Sequence, residues 1–248
     1  MLRTLAPWVV VLAVSLTACG DDDDDDTPDA NTDIDAAALP IDATPPGPGL
    51  TITGTLIADN ASNSEVIANQ TISLRIRIER DGAPVTNAII RIEPPGGFQT
   101  FLTGEALDPS LYTGNYFNYD LMQTRIQIGS DDDAVPQTTI VGQDLFKINA
   151  PTAGQSVLPG VDLVANWSRP GAAASSLRVT TEGGYDSGSL PDSDTHTIPG
   201  ASLSKVTASD EVFVLRCRRT DTFPGDASDG SFLDFCVQSR RTITVETP

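Results

Sequence analysis

The only histidine of the chain, His196, lies in a segment rich in serine and aspartate, DSGSLPDSDTHT. These residue types can form the triad of a hydrolase, in which histidine activates a serine hydroxyl and an acid orients the histidine. Ser187 or Ser189 would be the nucleophile. Asp192 or Asp194 would be the orienting acid. The segment lacks the G-x-S-x-G spacing of a nucleophile elbow, so we expect His196 to be solvent-exposed and without a catalytic role.

Acidic residues offer two further kinds of site. A glycosidase needs two carboxyl groups about 5–10 Å apart across a cleft, and the short strands predicted below offer little material for one. The segment SDDDAVP, 130–136, precedes a predicted domain boundary and could supply carboxylates to a calcium ion. A solvated loop is the simpler interpretation. We expect no catalytic residue, no metal site and no cofactor.

Two other groups of residues could form a binding surface. Tyr112, Tyr116, Phe117 and Tyr119 could provide a platform for a sugar or a peptide. We favour the alternative, in which two rings lie in the core and two face outward. The arginines of RCRR, 216–219, and of SRR, 239–241, could form a basic patch. We expect them to face outward, pair with nearby acids and protect an edge strand.

The start of the chain carries the most specific motif. Residues 1–18 combine a basic start with a short apolar run and small residues at its end, which is typical of a secretory signal peptide. The apolar run is shorter than the about 20 residues that a bilayer span needs. Leu16-Thr17-Ala18-Cys19 resembles the lipobox of bacterial lipoproteins, whose pattern is Leu, a small residue, Ala or Gly, then Cys.

This resemblance implies how the protein is anchored. The chain would be cut between Ala18 and Cys19, a diacylglycerol would be attached to the Cys19 thiol, and the new amino terminus would usually be acylated too. One acyl chain gives only marginal membrane binding, whereas two or more give stable anchoring. We therefore expect a lipid-anchored protein of the cell envelope. The outer membrane is the expected location, with the protein on its periplasmic face or at the cell surface.

Residues 19–49 predict a disordered tether. Ten of these residues are aspartate and none is basic. Such a segment cannot bury enough apolar surface to offset its ordering entropy, and its charges repel one another. As a flexible coil, about 30 residues span roughly 30 Å. An aspartate-rich tether directly after the lipidated cysteine is similar in style to lipoproteins of myxobacteria.

Charge restricts the partners of the remaining chain. The formal net charge is −19, and residues 50–248 hold 24 acidic against 14 basic residues. Nucleic-acid binding requires a basic surface, so we expect no nucleic-acid partner. The expected partners are the membrane, through Cys19, and an envelope protein or glycan.

Cys217 and Cys236 are the two cysteines left after Cys19. Disulfides form readily in exported proteins, so we expect these two to bridge; a pair of buried free thiols is the alternative. A closed loop of about 20 residues would contribute roughly 3 kcal/mol in the chain-entropy model.

Alternating hydrophobicity predicts β-strands throughout residues 50–248. In TISLRIRIE, 71–79, the apolar residues Ile72, Leu74, Ile76 and Ile78 fall on one face. Further strands follow at short spacing with turn residues between them, which indicates sandwiches. We expect an all-β fold of two tandem immunoglobulin-like β-sandwiches, 50–147 and 148–248, after the signal peptide and the tether.

Loose patterns support this assignment. INAPTAGQSVLPGVDLVANWS resembles the opening of fibronectin type III or immunoglobulin-like modules, in which a Pro-Gly lead-in precedes a strand with a core tryptophan, here Trp167. RDGAPV, followed by a strand with Tyr112, Gly114 and Tyr116, also resembles an immunoglobulin-like domain. Both cysteines follow Trp167, which departs from the antibody pattern and indicates a bridge within the last two strands or between the final hairpin and its loop.

The sequence therefore predicts a non-enzymatic binding or structural module that presents two β-sandwiches to a protein or glycan. The alternatives are an envelope hydrolase that uses acidic residues or His196, and a ligand-free spacer of a larger envelope assembly.

Overall fold

The computed structural model describes residues 49–246, apart from 67–69, 94–99, 105–107, 109, 118–123, 131–132 and 204–208; the side chains of 100–103 and 117 are also outside this description. The predicted signal peptide, the cleavage and lipidation residues Ala18 and Cys19, and all but the last residue of the predicted tether lie outside the described residues.

The described residues are built almost entirely from strands. The elements are β1 (Leu50–Asn60), β2 (Thr71–Arg80), β3 (Ala83–Pro84), β4 (Ile89–Glu93), β5 (Thr100–Gly104), β6 (Leu111–Phe117), β7 (Thr124–Ser130), β8 (Asp133–Ile140), β9 (Ile148–Ala150), β10 (Gln155–Val157), β11 (Leu163–Trp167), β12 (Ser176–Thr181), β13 (Thr195–Ile198), α1 (Gly200–Leu203), β14 (Asp210–Thr220) and β15 (Phe232–Val245).

The predicted all-β class is confirmed. The short helix α1 was not anticipated by the sequence analysis. Among the described residues, no helix has the length and hydrophobicity needed to cross a membrane.

Ten strands form one hydrogen-bonded path in the order β12-β14-β15-β1-β2-β6-β5-β4-β7-β8, and β3 and β10 pair at its side. The period-two pattern explains why these segments are strands. In β2, Ile72, Leu74, Ile76 and Ile78 are buried, and the residues between them are more exposed. β5 pairs with β6 through Thr103 and Gly104, and with β4 through its earlier residues. This strand therefore connects the β12-to-β6 part of the path to the β4-to-β8 part.

A second, three-stranded sheet has the order β13-β11-β9. Its central strand β11 buries Leu163, Ala165 and Trp167, and these residues belong to the same hydrophobic core as the buried residues of the long path. The Trp167 side chain is 3 % exposed, in agreement with the core position that the sequence predicted. Its indole Nε1 donates a hydrogen bond of 2.8 Å to the carbonyl oxygen of Ser193.

The first and last strands of the described chain are neighbours. β1 pairs in parallel with β15 over eight residue positions, from Thr53 opposite Phe232 to Asn60 opposite Ser239. This pairing connects the predicted first unit, 50–147, to the predicted second unit, 148–248, within one sheet. The sequence analysis did not anticipate it, because the two strands are more than 170 residues apart.

A buried polar cluster fixes the segment that links the two predicted units. The Asn60 Nδ2 amide donates to the carbonyl oxygen of Phe146 (2.7 Å) and to Ser239 Oγ (2.9 Å). Ser239 Oγ donates to the same carbonyl oxygen. Asn60 matches an N-glycosylation sequon, but its side chain is fully buried and therefore inaccessible for modification.

Asn63 extends this cluster to β9. Its Nδ2 donates to the carbonyl oxygen of Ile148 (3.0 Å), and its Oδ1 accepts from the Ile148 N–H (2.6 Å). The side-chain amide thus pairs with Ile148 as a neighbouring strand would. Asn63 has φ of 48°, a left-handed conformation that asparagine tolerates better than most residues.

We predict that Asn63→Gly lowers the free energy of unfolding by about 1–3 kcal/mol, because both polar groups of buried Ile148 lose their partner. Glycine keeps the left-handed backbone accessible, so the loss reports the side chain. Asp81→Gly is the matched control, since Asp81 has φ of 52° and is exposed. Urea denaturation measures both; equal midpoints for Asn63→Gly and the parent protein would contradict the role of Asn63.

Candidate functional site

His196 lies on β13 opposite Ala165 of β11, and its ring is partly buried. Its Nε2 shares a hydrogen bond of 2.7 Å with the Tyr185 hydroxyl. Burial lowers the pKa of His196 below its ordinary value, so the ring is neutral near neutral pH. His196 is thus partly exposed and lies on a strand, where the sequence analysis expected a solvent-exposed side chain in a loop.

The structure does not assemble the hydrolase triad considered from the sequence. Ser187 Oγ accepts from the Val179 N–H and donates to the Gly188 carbonyl oxygen. Asp192 is bound to arginine. Among the contacts of the described residues, none joins His196 to Ser187, Ser189, Asp192 or Asp194.

Asp192 and Arg216 form a buried ion pair. Arg216 Nε donates to Asp192 Oδ1 and Nη2 donates to Oδ2, both at 3.0 Å. The Arg216 side chain is 1 % exposed and the Asp192 side chain is 5 % exposed. Arg169 and the Ala174 N–H also bind Asp192 Oδ2, and the Arg216 guanidinium lies 5.5 Å from the centre of the Phe146 ring.

These contacts determine the ionisation of Asp192. Burial alone would raise its pKa, but hydrogen bonds from Arg216 and Ala174, with the charges of two arginines, hold the pKa below its ordinary value. The carboxylate is therefore ionised, and both of its oxygens are occupied by structural partners. It joins the loop before β13 to the inner face of β14.

The prediction for the RCRR segment needs correction. Arg216 points into the core because it shares the inward face of β14 with Val212 and Val214. β14 lies between β12 and β15, so it is an interior strand. Arg219 does face outward and pairs with an acid, as predicted: its Nε and Nη2 donate to the two carboxylate oxygens of Asp234 at 2.9 and 2.8 Å.

The outward residues of β12, β14, β15, β1 and β2 form a continuous surface, which we call the outer sheet face. Its registers follow from the strand pairing. The face combines partly exposed apolar side chains with charged pairs and hydroxyls; its members include Arg178, Phe213, Leu215, Arg219, Phe232, Asp234, Arg240, Thr53, Thr55, Ile57 and Arg75.

The predicted disulfide is present and lies in this face. Cys217 and Cys236 occupy directly opposite positions on β14 and β15, and their sulfur atoms are 2.09 Å apart. This is the neighbouring-strand bridge that the sequence indicated.

Shallow clefts open on the surface of the described residues, and two of them lie near candidate residues. A cleft of about 320 Å³ is lined by Gly183, Gly184, Tyr185, Asp186 and Ser202, next to His196. A larger cleft of about 500 Å³ lies at the β14–β15 connection and is lined by Arg219, Asp221, Thr222, Gly230, Ser231 and Phe232. We call the second one the hairpin cleft.

The hairpin cleft was missed in the sequence, although a signal for it exists. If Cys217 is opposite Cys236 in an antiparallel hairpin, then Arg219 must be opposite Asp234. A cross-strand arginine–aspartate pair beside Phe232 was therefore available from the predicted disulfide alone.

The aromatic platform is not formed as one surface. Tyr112 and Tyr116 are both buried, in agreement with the preferred interpretation of two core rings. The Tyr112 hydroxyl donates to the Val85 carbonyl oxygen (3.1 Å) and accepts from the Ala88 N–H (2.9 Å). Burial raises the pKa of Tyr116. The Phe117 side chain and Tyr119 lie outside the described residues.

The junction calcium site, which the sequence analysis considered but set below a solvated loop, lies partly outside the described residues. Asp133 pairs with Arg80, while Asp131 and Asp132 lie outside the described residues. In the part of the chain that the structure describes, no group of three or more His, Cys, Asp or Glu side chains is arranged to hold a metal ion.

No protein-family model and no curated protein matches the sequence. Solved structures that align with it include fibronectin(III)-like modules of CbhA from Clostridium thermocellum, at 13 % identity over 79 % of this chain and 94 % of that one, with a TM-score of 0.25. The Yersinia pseudotuberculosis adhesin InvE aligns at 11 % identity over 77 % and 60 %, with a TM-score of 0.25.

A chimeric titin Z1Z2-Z1Z2 tandem aligns at 10 % identity over 79 % of this chain and 97 % of that one, with a TM-score of 0.24. These TM-scores are too low to support a conclusion about shared function.

We predict that Asp192→Asn lowers the free energy of unfolding by about 3–5 kcal/mol, because it leaves the Arg216 charge buried without its partner. Asp186→Asn is the control: Asp186 pairs with Arg178 at the surface, where ion pairs contribute little. Denaturant unfolding of the two variants measures the difference. Similar effects of both substitutions would show that the buried pair is not important for stability.

The shifted pKa values of His196 and Asp192 predict two pH ranges in which the free energy of unfolding changes. His196 has a lowered folded pKa, so its contribution is present at neutral pH and is lost as pH falls below the ordinary histidine value of 6.5. Asp192 also has a lowered folded pKa, so its contribution is present above 3.8 and is lost as pH falls further. Unfolding free energies measured across pH should no longer fall near pH 6.5 in His196→Gln, and their fall below pH 3.8 should be smaller in Asp192→Asn than in the parent protein.

Proposed function

We propose that this protein is a lipid-anchored, non-enzymatic binding or structural module of the bacterial cell envelope, held at the outer membrane through Cys19. The lipobox at Leu16–Cys19 and the aspartate-rich segment after it support the anchor. The partner is an envelope protein or a glycan, and the outer sheet face presents the binding surface.

The lipobox carries this proposal, and the attachment of Gly49 and Leu50 to the folded body gives the predicted tether a defined end. The Leu50 N–H donates to the Asp226 carbonyl oxygen (2.7 Å), and the Ser228 N–H donates to the Leu50 carbonyl oxygen (2.9 Å). A Cβ atom on Gly49 would lie 2.2 Å from the Asp226 carbonyl oxygen, so glycine allows this close approach. The predicted tether would therefore end at a firmly bound point, and the sheet would continue from it without a hinge.

The outer sheet face has the composition of a recognition surface. Partly exposed Phe213, Leu215 and Ile57 lie among charged and hydroxyl side chains, and such mixtures of apolar anchors and polar groups are common in interfaces. The residues offered for a hydrolase have structural partners instead: Asp192 binds Arg216, and His196 binds Tyr185.

We predict that Cys19→Ser abolishes incorporation of labelled fatty acid and releases the protein from the membrane fraction. Loss of the thiol removes the only attachment point for the diacylglycerol. Thr17→Ser is the matched control, because it keeps the small residue that the lipobox pattern requires. Membrane retention of Cys19→Ser would contradict the lipid anchor.

Site-specific photo-crosslinking in intact cells tests the binding surface. A photoreactive residue at Thr55, on the outer sheet face, should give a discrete adduct. The same residue at Gln127, an exposed position on β7, should not. Protease treatment of intact cells, with a periplasmic control, then shows which side of the membrane the module occupies. Identical crosslinking patterns from Thr55 and Gln127 would reject the outer sheet face as the binding surface.

A further inference from the structure

The hairpin cleft lies at one end of the outer sheet face, beside the point where Leu50 is bound. Phe232 begins β15 and is opposite Thr53 of β1, and its ring is partly exposed. Gly230 is exposed, has φ of 90°, and a Cβ atom there would meet nothing within 4 Å. The cleft is therefore open to a ligand on the side of Gly230.

The polar groups of the cleft are held in fixed positions. The Arg219 guanidinium lies 3.9 Å from the centre of the Phe232 ring, and its Nε and Nη2 are bound to Asp234. An arginine that is both stacked and bound bidentately loses little further freedom when it binds a ligand. Its Nη1 makes no hydrogen bond among the described residues, so its two N–H groups are available.

Asp221 supplies the complementary acceptor. Its side chain is exposed and lines the same cleft as Arg219. Among the described contacts, its carboxylate accepts only a long hydrogen bond of 3.4 Å from Thr222 Oγ1. A donor, an acceptor and a partly exposed aromatic ring thus lie within one cleft.

We propose that the hairpin cleft binds a neutral saccharide. A hydroxyl oxygen of the sugar would accept from Arg219 Nη1, a neighbouring hydroxyl would donate to Asp221, and the apolar C–H groups of the sugar ring would pack on the part of the Phe232 ring that Arg219 leaves uncovered. This inference rests on the proposed binding function. It assigns a ligand class to the end of the outer sheet face at which the hairpin cleft lies.

Charge argues against ionic ligands. Asp221 and Asp234 would repel a phosphate or a carboxylate, and the net negative charge of residues 50–248 adds to this. A cation would be attracted by these acidic groups, but it would have to lie beside the Arg219 guanidinium, which opposes it. A ligand that both donates and accepts hydrogen bonds without net charge satisfies both groups at once, and vicinal hydroxyls have this property.

Saturation-transfer NMR tests the proposal with the full chain in a detergent that contains no sugar. The probes are cellotetraose, maltotetraose and chitotetraose at up to about 10 mM, a range suited to the weak affinity of a shallow site. We expect saturation of the ring protons of at least one probe. Phe232→Ala and Asp221→Asn should each weaken its binding by about fivefold or more.

Two matched controls make the outcome specific. Phe223→Ala removes another partly exposed phenylalanine, one in the β14–β15 connection and outside the outer sheet face, and Asp229→Asn removes another exposed acid of the same connection; neither residue lines the hairpin cleft. Both should bind the probe as the parent protein does. Thermal unfolding verifies that each variant is folded, and Asp221→Asn keeps the test valid if Phe232→Ala is unstable.

Absence of saturation transfer from all three probes would overturn the saccharide assignment, and so would equal affinity in Asp221→Asn and the parent protein. Crosslinking from Thr55 without sugar binding would leave the proposed function intact with a protein partner. Failure of both experiments would reject the proposed function itself.

Discussion

The parallel pairing of β1 with β15 is the constraint on which the rest of the fold depends. It brings together the two ends of the described chain and places every outward residue of β12, β14 and β15 in the same surface as those of β1 and β2. A parallel pair cannot be closed by a tight hairpin and needs a long connection. Here the connection is nearly the whole folded chain between β1 and β15. The pair can therefore form only when the chain between these two strands has brought them together.

The buried amides next to this pair explain how the connection is held. Asn60 and Ser239, the last residues of the β1–β15 register, both bind the Phe146 carbonyl oxygen. Asn63 then binds both polar groups of Ile148. A chain that crosses from one group of strands to another must satisfy its buried backbone polar groups without a strand partner. Side-chain amides meet this need because they carry a donor and an acceptor in the geometry of a peptide group.

Local pattern predicted what depends on local chemistry. The alternation of β2 and the cysteines of β14 and β15 gave strands, inward faces and a disulfide that the structure contains. The parallel β1–β15 pair was not predictable, because strand pairing over such a distance leaves no mark on either segment. Arg216 is intermediate: its spacing from Val212 and Val214 matches the inward face, yet the sequence analysis expected it to face outward, and only the position of Asp192 explains how a charge is tolerated inside.

The outer sheet face shows how a sheet is stabilised where the described structure places no second layer over it. Apolar packing is weaker on such a surface, and cross-strand side-chain pairs contribute instead. Arg219 binds Asp234 across β14 and β15, and Arg240 lies near Asp59 and Glu211 on the two neighbouring strands. The Cys217–Cys236 disulfide joins the same two strands covalently. Because these contacts connect neighbouring strands within the sheet, they leave the surface above them open among the described residues, and the binding of a partner there would not disturb the core.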